Sequence, residues 1–145
     1  MREVETAATA AAPEPLGEPL ESWEVAAVGP EWTPVVGEME LEPVPGRLEL
    51  YADALVFRAD DAVDRRTREP LVSVVPAGTV TGATPLAPGS KLSSAQRGGS
   101  PVGRLLGRLA PPGFVVSTSV GPWAFACSRG ERRAREVSRR YAGAG

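Results

Sequence analysis

Short apolar runs separated by turn-forming residues recur through residues 37–127, and this spacing restricts the possible folds more than any other feature of the chain. Met39 and Leu41 alternate with glutamates, and Leu48 and Leu50 alternate with polar neighbours, which is the period-2 pattern of half-buried strands. The pattern predicts seven antiparallel strands around the apolar runs 39–41, 48–51, 55–57, 71–75, 79–84, 114–118 and 123–127.

Three stretches between these runs are predicted to be connections. Residues 43–46 have the Pro and Gly content of a tight turn, and residues 59–70 are polar and predict a hairpin loop. Residues 85–112 form the longest connection and are rich in Gly, Ser and Pro. A loop of this length inside a compact domain is uncommon and is usually functional or disordered.

The last element is predicted to be an α-helix that lies on the sheet. Ser128 and Glu131 have the spacing of a capping box, and Ala134, Val137 and Tyr141 form a narrow apolar stripe. An antiparallel sheet must protect its edges, so the pattern favours a bent barrel or sandwich of seven strands. The predicted fold is therefore mainly β, and the helix closes one opening.

Residues 1–36 differ from the rest of the chain and are predicted to form a disordered acidic leader. They mix Ala, Glu and Pro without an apolar period, so they cannot bury enough surface to offset the entropy lost on ordering. The first 45 residues hold ten Glu and one Arg, whereas residues 46–145 hold fourteen Arg and one Lys against eight carboxylates. Trp32 is expected to pack on the body, and Trp23 either packs there or contacts a partner.

The composition disfavours an enzyme. The chain has no His, which removes the commonest general base and metal ligand, and its one cysteine, Cys127, lies on an apolar strand. Asp60, Asp61 and Asp64 lack the alternating oxygen ligands of a calcium loop and are followed at once by Arg65. No catalytic residue, metal site or cofactor is therefore predicted.

Cysteine usage and the character of the N-terminus favour a cytoplasmic location. A single cysteine gives no disulfide framework, and the N-terminal segment is acidic where a signal peptide is basic. No apolar run approaches the length of a membrane span. We therefore expect a cytoplasmic chain without a transmembrane segment, with peripheral association at the inner membrane surface as a further option.

The order of the predicted elements resembles the pleckstrin-homology-like superfold, including its GRAM-type bacterial relatives. The resemblance rests on residues 46–57, 71–76 and 114–127 with the closing helix, and it covers residues 37–145. It implies a non-catalytic adaptor that binds phospholipid headgroups or protein segments. The phosphoinositide-binding members carry basic residues around the first hairpin, whereas here only Arg47 is basic and three glutamates precede the turn.

The number of strands decides where the arginine-rich loop within residues 59–70 would lie. If residues 38–42 form the first strand, this loop joins strands three and four at the open end, where domains of this superfold usually bind. Without that first strand, the loop lies at the opposite end. Both placements are compatible with the sequence.

Two groups of side chains are candidate binding residues. Each basic residue near an anionic leaflet contributes about 1 kcal/mol, so several together give weak, salt-sensitive attachment. The alternative is that these arginines are ordinary solubilising charges. The candidate anion- or membrane-binding residues are Arg65, Arg66, Arg68, Arg97, Arg104 and Arg108, and the candidate partner contacts are Trp23, Leu105 and Leu106.

These observations favour a non-catalytic binding or adaptor module that recognises a protein, through a sheet edge or a helix groove, or an anionic surface. One alternative is peripheral membrane association through the Arg-rich loops, with the acidic leader as an autoinhibitory shield. Deleting residues 1–32 would then increase retention on anionic liposomes. A second alternative is an OB-like barrel that binds nucleic acid, which five rather than seven strands would favour, although the basic loops lack aromatic residues for base stacking.

Overall fold

A computed structural model describes residues 3–6, 14–15, 17–30, 32, 43–86 and 113–142. These residues are mainly β, as predicted, with one helix at the C-terminal end. The strands are β1 (Glu3–Val4), β2 (Glu21–Val28), β3 (Val44–Leu50), β4 (Ala54–Asp64), β5 (Pro70–Pro76), β6 (Val80–Leu86), β7 (Gly113–Thr118) and β8 (Gly121–Ala126). A short 3-10 turn (Ala77–Thr79) joins β5 to β6, and the helix α1 (Gly130–Val137) continues into a π-helical turn (Ser138–Ala142).

The strands form a single sheet in the order β1-β4-β3-β2-β8-β7-β6, and β5 pairs with β4. All pairings are antiparallel except the short parallel contact of β1 with the end of β4. Strand β2 pairs with β3 on one side and with β8 on the other, so it joins the two halves of the sheet. Within the described ranges no backbone pairing joins β5 to β6, and the sheet is therefore not closed.

The core lies on the face of the sheet that carries the aromatic side chains. Phe57, Phe114 and Phe125 are fully buried. The ring of Trp23 meets that of Phe114 edge to face at a centroid distance of 6.2 Å, and Trp123 stacks on Phe125 at 5.9 Å. Complete burial of a side chain of this size stabilises the fold by about 1.5–3 kcal/mol, so this aromatic cluster supplies much of the hydrophobic stabilisation.

The helix packs where the apolar stripe predicted it. Ala134, Val137 and Tyr141 are buried, and α1 lies against β6 and β7. The predicted capping box is wrong, because the helix begins at Gly130 and its N-cap is Arg129, with a left-handed φ of 58° and no side-chain cap. Ser128 is therefore one residue too early to cap the first turn.

Two predicted connections turn out to be strand. Residues 43–46 were expected to form a turn, but β3 already begins at Val44, which pairs with Ala27. Strand β4 runs to Asp64 and β5 begins at Pro70, so the predicted loop 59–70 contracts to a turn over residues 65–69. A register shift between Arg58 and Val63 lets β4 continue through its polar stretch.

The expectation of a disordered leader across residues 1–36 is wrong for residues 21–28, which form β2. Trp23 and Val25 are buried, whereas Ser22 and Glu24 are exposed, so this segment follows the same alternation as its neighbour β3. The described residues thus contain eight strands instead of seven. The predicted strand 38–42 and most of the predicted loop 85–112 lie outside the described residues, apart from Pro85 and Leu86 at the end of β6.

Tyr141 ties the C-terminal turn to the hairpin between β3 and β4. Its O–H donates to the carbonyl oxygen of Tyr51 at 2.6 Å and to that of Ala54 at 3.2 Å. Burial raises the pKa of Tyr141 to about 12. The folded chain therefore holds this phenolic proton more tightly than the unfolded chain, whose tyrosines titrate near their usual pKa of about 10.

We expect the free energy of unfolding to fall as the pH rises from about 10 towards 12, by about 2 kcal/mol, because one pKa unit corresponds to about 1.4 kcal/mol. The contribution is fully present below pH 10 and is lost as the pH rises through the folded pKa. Urea titrations at several pH values measure this loss. The variant Y141F should lose about 1 kcal/mol at neutral pH and should show a smaller decline above pH 10; an undiminished decline would assign the effect to another group.

Candidate functional site

Strand β5 lies at an edge of the sheet and offers backbone groups for pairing. It pairs with β4 along Ala54–Arg58, and among the described residues no strand pairs with its other side. An unpaired edge presents a row of N–H and C=O groups and is a template for another strand. Pro70 and Pro76 bound the strand, and a proline cannot donate to a ladder, so the available edge runs over residues 71–75.

Successive side chains of β5 point to opposite faces of the sheet, with Leu71, Ser73 and Val75 on one face and Val72 and Val74 on the other. Leu71 and Val75 are buried, whereas Val72, Ser73 and Val74 are half-buried. No residue of β5 carries a charge, and none of the residues 71–75 is a proline. Native edge strands are commonly protected by charged residues, prolines within the strand or a covering element, and the stretch 71–75 lacks the first two of these devices.

A groove of about 920 Å³ runs beside this edge. We call it the edge groove, and its apolar lining includes Pro30, Trp32, Val72, Val74, Val120 and Trp123. The rings of Trp32 and Trp123 meet edge to face with their centroids 5.2 Å apart and make a rigid apolar surface. The ring of Trp32 also lies against that of Phe57, with a centroid distance of 5.7 Å. Pockets that are mainly apolar with a few polar groups at the rim are typical of binding sites.

Gly29 lets the two tryptophans approach each other. A Cβ atom at this position would lie 2.8 Å from the ring of Trp123 and 3.0 Å from that of Trp32. Both distances are shorter than ordinary van der Waals contact, so any side chain at position 29 would displace one of the rings.

One end of the edge groove is polar and is organised by Asp64. This residue is 9 % exposed, and its carboxylate accepts a hydrogen bond from the hydroxyl of Thr6 at 2.6 Å and one from the backbone N–H of Arg66 at 2.9 Å. The backbone N–H of Arg65 donates to the carbonyl oxygen of Val4 at 2.9 Å. The turn between β4 and β5 is thus held by the N-terminal strand as well as by its own side chains.

A second polar group lies on the sheet beside the groove. Nε of Arg58 lies 2.7 Å from Oε1 of Glu49, Nη1 of Arg58 lies 2.6 Å from Oε1 of Glu14, and the O–H of Tyr51 donates to Glu49 at 2.9 Å. The hydrogen bond to Glu49 raises the pKa of Arg58, and burial raises the pKa of Tyr51. This cluster satisfies its own charges and therefore fixes the sheet without leaving a cation for a ligand.

The arginines of the β4–β5 turn are the predicted anion-binding residues that the structure describes. Nη1 of Arg68 lies 2.8 Å from a carboxylate oxygen of Glu3, and Arg66 lies 3.9 Å from Asp64, while Arg65 is half-buried. The nearby acidic residues Asp60, Asp61 and Glu69 are exposed. The five carboxylates of Glu3, Asp60, Asp61, Asp64 and Glu69 outnumber the three guanidinium groups, so this part of the chain carries no positive excess. Arg97, Arg104, Arg108, Leu105 and Leu106 lie outside the described residues.

Trp23 is a core residue, which corrects its placement among the candidate partner contacts. It is 7 % exposed, its ring lies against Phe114, and the guanidinium carbon of Arg133 lies 4.3 Å above its ring. Trp23 is unavailable to a partner because it lies on β2 with its side chain directed into the core. Trp32 is also buried, as expected.

Cys127 follows β8 and is half-buried. Burial raises the pKa of its thiol, and the positive charge of Arg133 opposes part of this rise. A raised thiol pKa means little thiolate at neutral pH, and the thiolate is the reactive form. In the described part of the chain no three Cys, Asp or Glu side chains are grouped to hold a metal ion.

Among the described residues, the acidic N-terminal segment forms three ion pairs with the basic body. Glu3 pairs with Arg68, Glu14 pairs with Arg58, and a carboxylate oxygen of Glu21 lies 3.6 Å from Nη2 of Arg140. Glutamates of the acidic N-terminal segment therefore form ion pairs with arginines of the basic remainder of the chain. Exposed pairs of this kind each contribute about 0–1 kcal/mol, so they orient the segment more than they stabilise the fold.

The edge of β5 and the paired tryptophans were not among the sequence candidates. The bounding prolines of the run 70–76 are visible in the sequence, but the free edge depends on β4 being the one described strand that pairs with β5. That relation is a property of the topology. No helix among the described residues is long and apolar enough to cross a membrane.

Comparisons with known proteins bear on the fold alone. No protein-family model matches the chain, and no curated protein matches it. Among solved structures, the chain is similar to the C-terminal domain of an unknown protein from Leishmania infantum, with a TM-score of 0.50 and 9 % sequence identity. The match covers 85 % of this chain and 83 % of that one. At this identity the likeness concerns the arrangement of the elements and carries nothing about activity.

Proposed function

We propose that the chain is a non-catalytic protein-binding module that receives an extended protein segment along β5. The observation that carries the proposal is the free, uncharged edge of β5 beside a groove of about 920 Å³ whose lining is more apolar than polar. In strand addition, backbone hydrogen bonds supply affinity, and pockets for alternate side chains supply specificity. Here the backbone of residues 71–75 supplies the hydrogen bonds, and the paired tryptophans with Val74 and Val120 supply the pockets for side chains.

The ligand that fits this site is an extended segment with alternating apolar side chains. Side chains on one face of the added strand would lie against Trp32 and Trp123, where a buried charge has no partner. Polar residues of the ligand would lie at the rim formed by Asp64 and Arg66. The module thus selects its partner by backbone conformation and alternation more than by charge.

The pleckstrin-homology-like assignment is part of this proposal. It is supported by the element order, in which the antiparallel run β2–β5 is followed by β6–β8 and a terminal helix. In this proposal the sheet curls into a bent barrel whose gap lies between β5 and β6, and the edge groove is that gap. With β2 taken as the first of these strands, the Arg65 turn joins strands three and four.

Replacing Val74 by lysine should weaken binding of an extended peptide, because a charged side chain on the edge opposes strand addition. We propose to select short random peptides by display on the immobilised full chain and to measure their affinity by fluorescence anisotropy. The variant V74K should weaken the selected peptides by more than about tenfold, which is about 1.4 kcal/mol.

The matched control for this experiment is T84K, which places the same charge at an exposed position of β6. T84K should bind the peptides as the parent does. Equal affinity for V74K and T84K would place the peptide elsewhere and would reject the proposal.

Attachment to an anionic surface is a second candidate, and two arginines at the start of the helix support it. Arg129 and Arg132 are exposed, and neither forms an ion pair with another described residue, whereas two of the three turn arginines do. Each such residue near an anionic leaflet contributes about 1 kcal/mol. The cytoplasmic location and peripheral association expected from the sequence belong to this candidate.

Vesicles containing phosphatidylserine distinguish the two arginine groups. The triple variant R65Q/R66Q/R68Q should be retained on these vesicles as well as the parent, because carboxylates already balance the turn. The double variant R129Q/R132Q should lose whatever salt-sensitive retention the parent shows. A loss confined to the triple variant would show that the turn binds the surface despite its acidic neighbours.

A further inference from the structure

The segment that forms the free edge is almost the same sequence in both directions. From Pro70 to Pro76 it runs Pro-Leu-Val-Ser-Val-Val-Pro, and its centre is Ser73. An antiparallel partner strand runs in the opposite direction, so a near-palindromic strand is complementary to a second copy of itself. A two-fold dimer requires this kind of self-complementary surface.

A two-fold axis through Ser73 gives the best register for two copies of β5. It places Val72 opposite Val74 of the second copy, and Leu71 opposite Val75. Opposed residues in an antiparallel pair point to the same face, so the half-buried valines of one copy meet those of the other, and the buried residues also meet each other. All five residues between the bounding prolines then pair.

Other registers are worse for physical reasons. An axis placed between two residues would set a core-facing position opposite an outward-facing one, which turns the apolar face of the second copy to solvent. An axis at Val72 or Val74 would keep the faces matched but would bring Pro70 or Pro76 into the ladder, where a proline cannot donate. The bounding prolines therefore select the central register.

On this basis, and resting on the proposed function of β5 as a strand-binding edge, we propose that the edge pairs with β5 of a second copy of the chain to form a two-fold dimer. The absence of charge on β5 removes any like-charge repulsion across the axis. Five paired residues alone bury less than the roughly 1,200–2,000 Å² of a stable interface, so the walls of the edge groove must contribute. The dimer should consequently depend on protein concentration, and an added strand from another protein should compete with it.

A charge-pair experiment tests the register. The full chain of 15.2 kDa is examined by sedimentation velocity over a range of concentrations, together with V72K, V74E and the double variant V72K/V74E. The parent should double in mass as the concentration rises. Each single variant should stay monomeric, because it places an unpaired charge opposite a valine, and the double variant should regain the dimer because each introduced lysine faces an introduced glutamate.

A cross-linking measurement keeps the test valid if a valine variant folds poorly. In a C127S background, S73C places two thiols opposite each other across the axis, within the Cα separation of about 4.4–6.8 Å that a disulfide requires. Mild oxidation should give a covalent dimer. The control T84C in the same background should stay monomeric, since β6 does not lie on the axis.

The outcomes separate this inference from the proposed function. A parent that stays monomeric at every concentration, while selected peptides still bind and V74K weakens their binding, overturns the dimer and leaves the strand-binding edge standing. A dimer that persists in both V72K and V74E, or that S73C does not cross-link, places the contact on another surface and also overturns it. Loss of the dimer in the single variants with recovery in the double variant establishes the register.

Discussion

Replacing Gly130 by alanine is expected to detach α1 from the sheet and to lower the free energy of unfolding by about 3 kcal/mol. A Cβ atom at this position would overlap the carbonyl oxygen of Gly113, the first residue of β7. The neighbouring atoms are all backbone, so no side-chain rotation relieves the overlap. Either the helix or β7 must move, and Ala134 and Val137 would lose their buried contacts.

The matched control for this glycine is Gly78, where an added Cβ atom would meet nothing within 4 Å. G78A should change stability little, or raise it slightly by restricting the unfolded chain. Urea denaturation of the three proteins measures the difference. Equal midpoints for G130A and G78A would show that the helix does not pack on β7 at this distance.

Deleting residues 1–32 is expected to unfold the chain, with an effect larger than that of any single substitution considered above. Strand β2 is the one described strand that pairs with both halves of the sheet, through β3 and β8. Its removal exposes the facing edges and takes Trp23 out of the core, where truncation of a buried aromatic alone costs about 3–5 kcal/mol. A domain of this size has a total stability of about 5–15 kcal/mol.

The control is a deletion of residues 1–19, which removes β1 and the ion pairs of Glu3 and Glu14 but keeps β2. Because exposed ion pairs contribute little, this shorter variant should retain a cooperative unfolding transition. Circular dichroism and thermal melting separate the two deletions. A cooperative transition in the longer deletion would mean that β2 is not part of the core. For the same reason, any test of the acidic segment as a shield must use the shorter deletion.

Strands β3 to β8 could be predicted from the sequence, because β3 contains an apolar alternation and each of the others contains a short apolar or β-branched run between turn-forming residues. Strand β2 follows the same alternation from Trp23 to Val25, but it lies in a segment whose Ala, Glu and Pro content is typical of disorder. Composition averaged over a long window therefore concealed a local period. Strand β1 has two residues and is held by parallel pairing to Val63 and Asp64, which no local pattern encodes.

In the helix and at the candidate site, too, local sequence patterns predict some features, whereas others depend on contacts between distant parts of the chain. The stripe of Ala134, Val137 and Tyr141 predicted the buried face, because that face depends on local spacing. The start of the helix at Gly130 depends on the close approach of Gly113, seventeen residues earlier in the chain, so the capping pattern at Ser128 was misleading. The free edge of β5 likewise follows from the topology, in which β4 is the one described strand that pairs with β5, and the sequence of β5 does not encode that pairing.

Residue-level amide hydrogen exchange on β5 tests the central claim most directly, using the dilute full chain with and without a display-selected peptide. The amides of residues 71–75 that point away from β4 should exchange rapidly in the free chain and should slow by more than about tenfold when the peptide adds as a strand. Those that already pair with β4 should change little. Unchanged exchange at this edge, with new protection confined to α1 or to β6–β8, would contradict a binding site on β5.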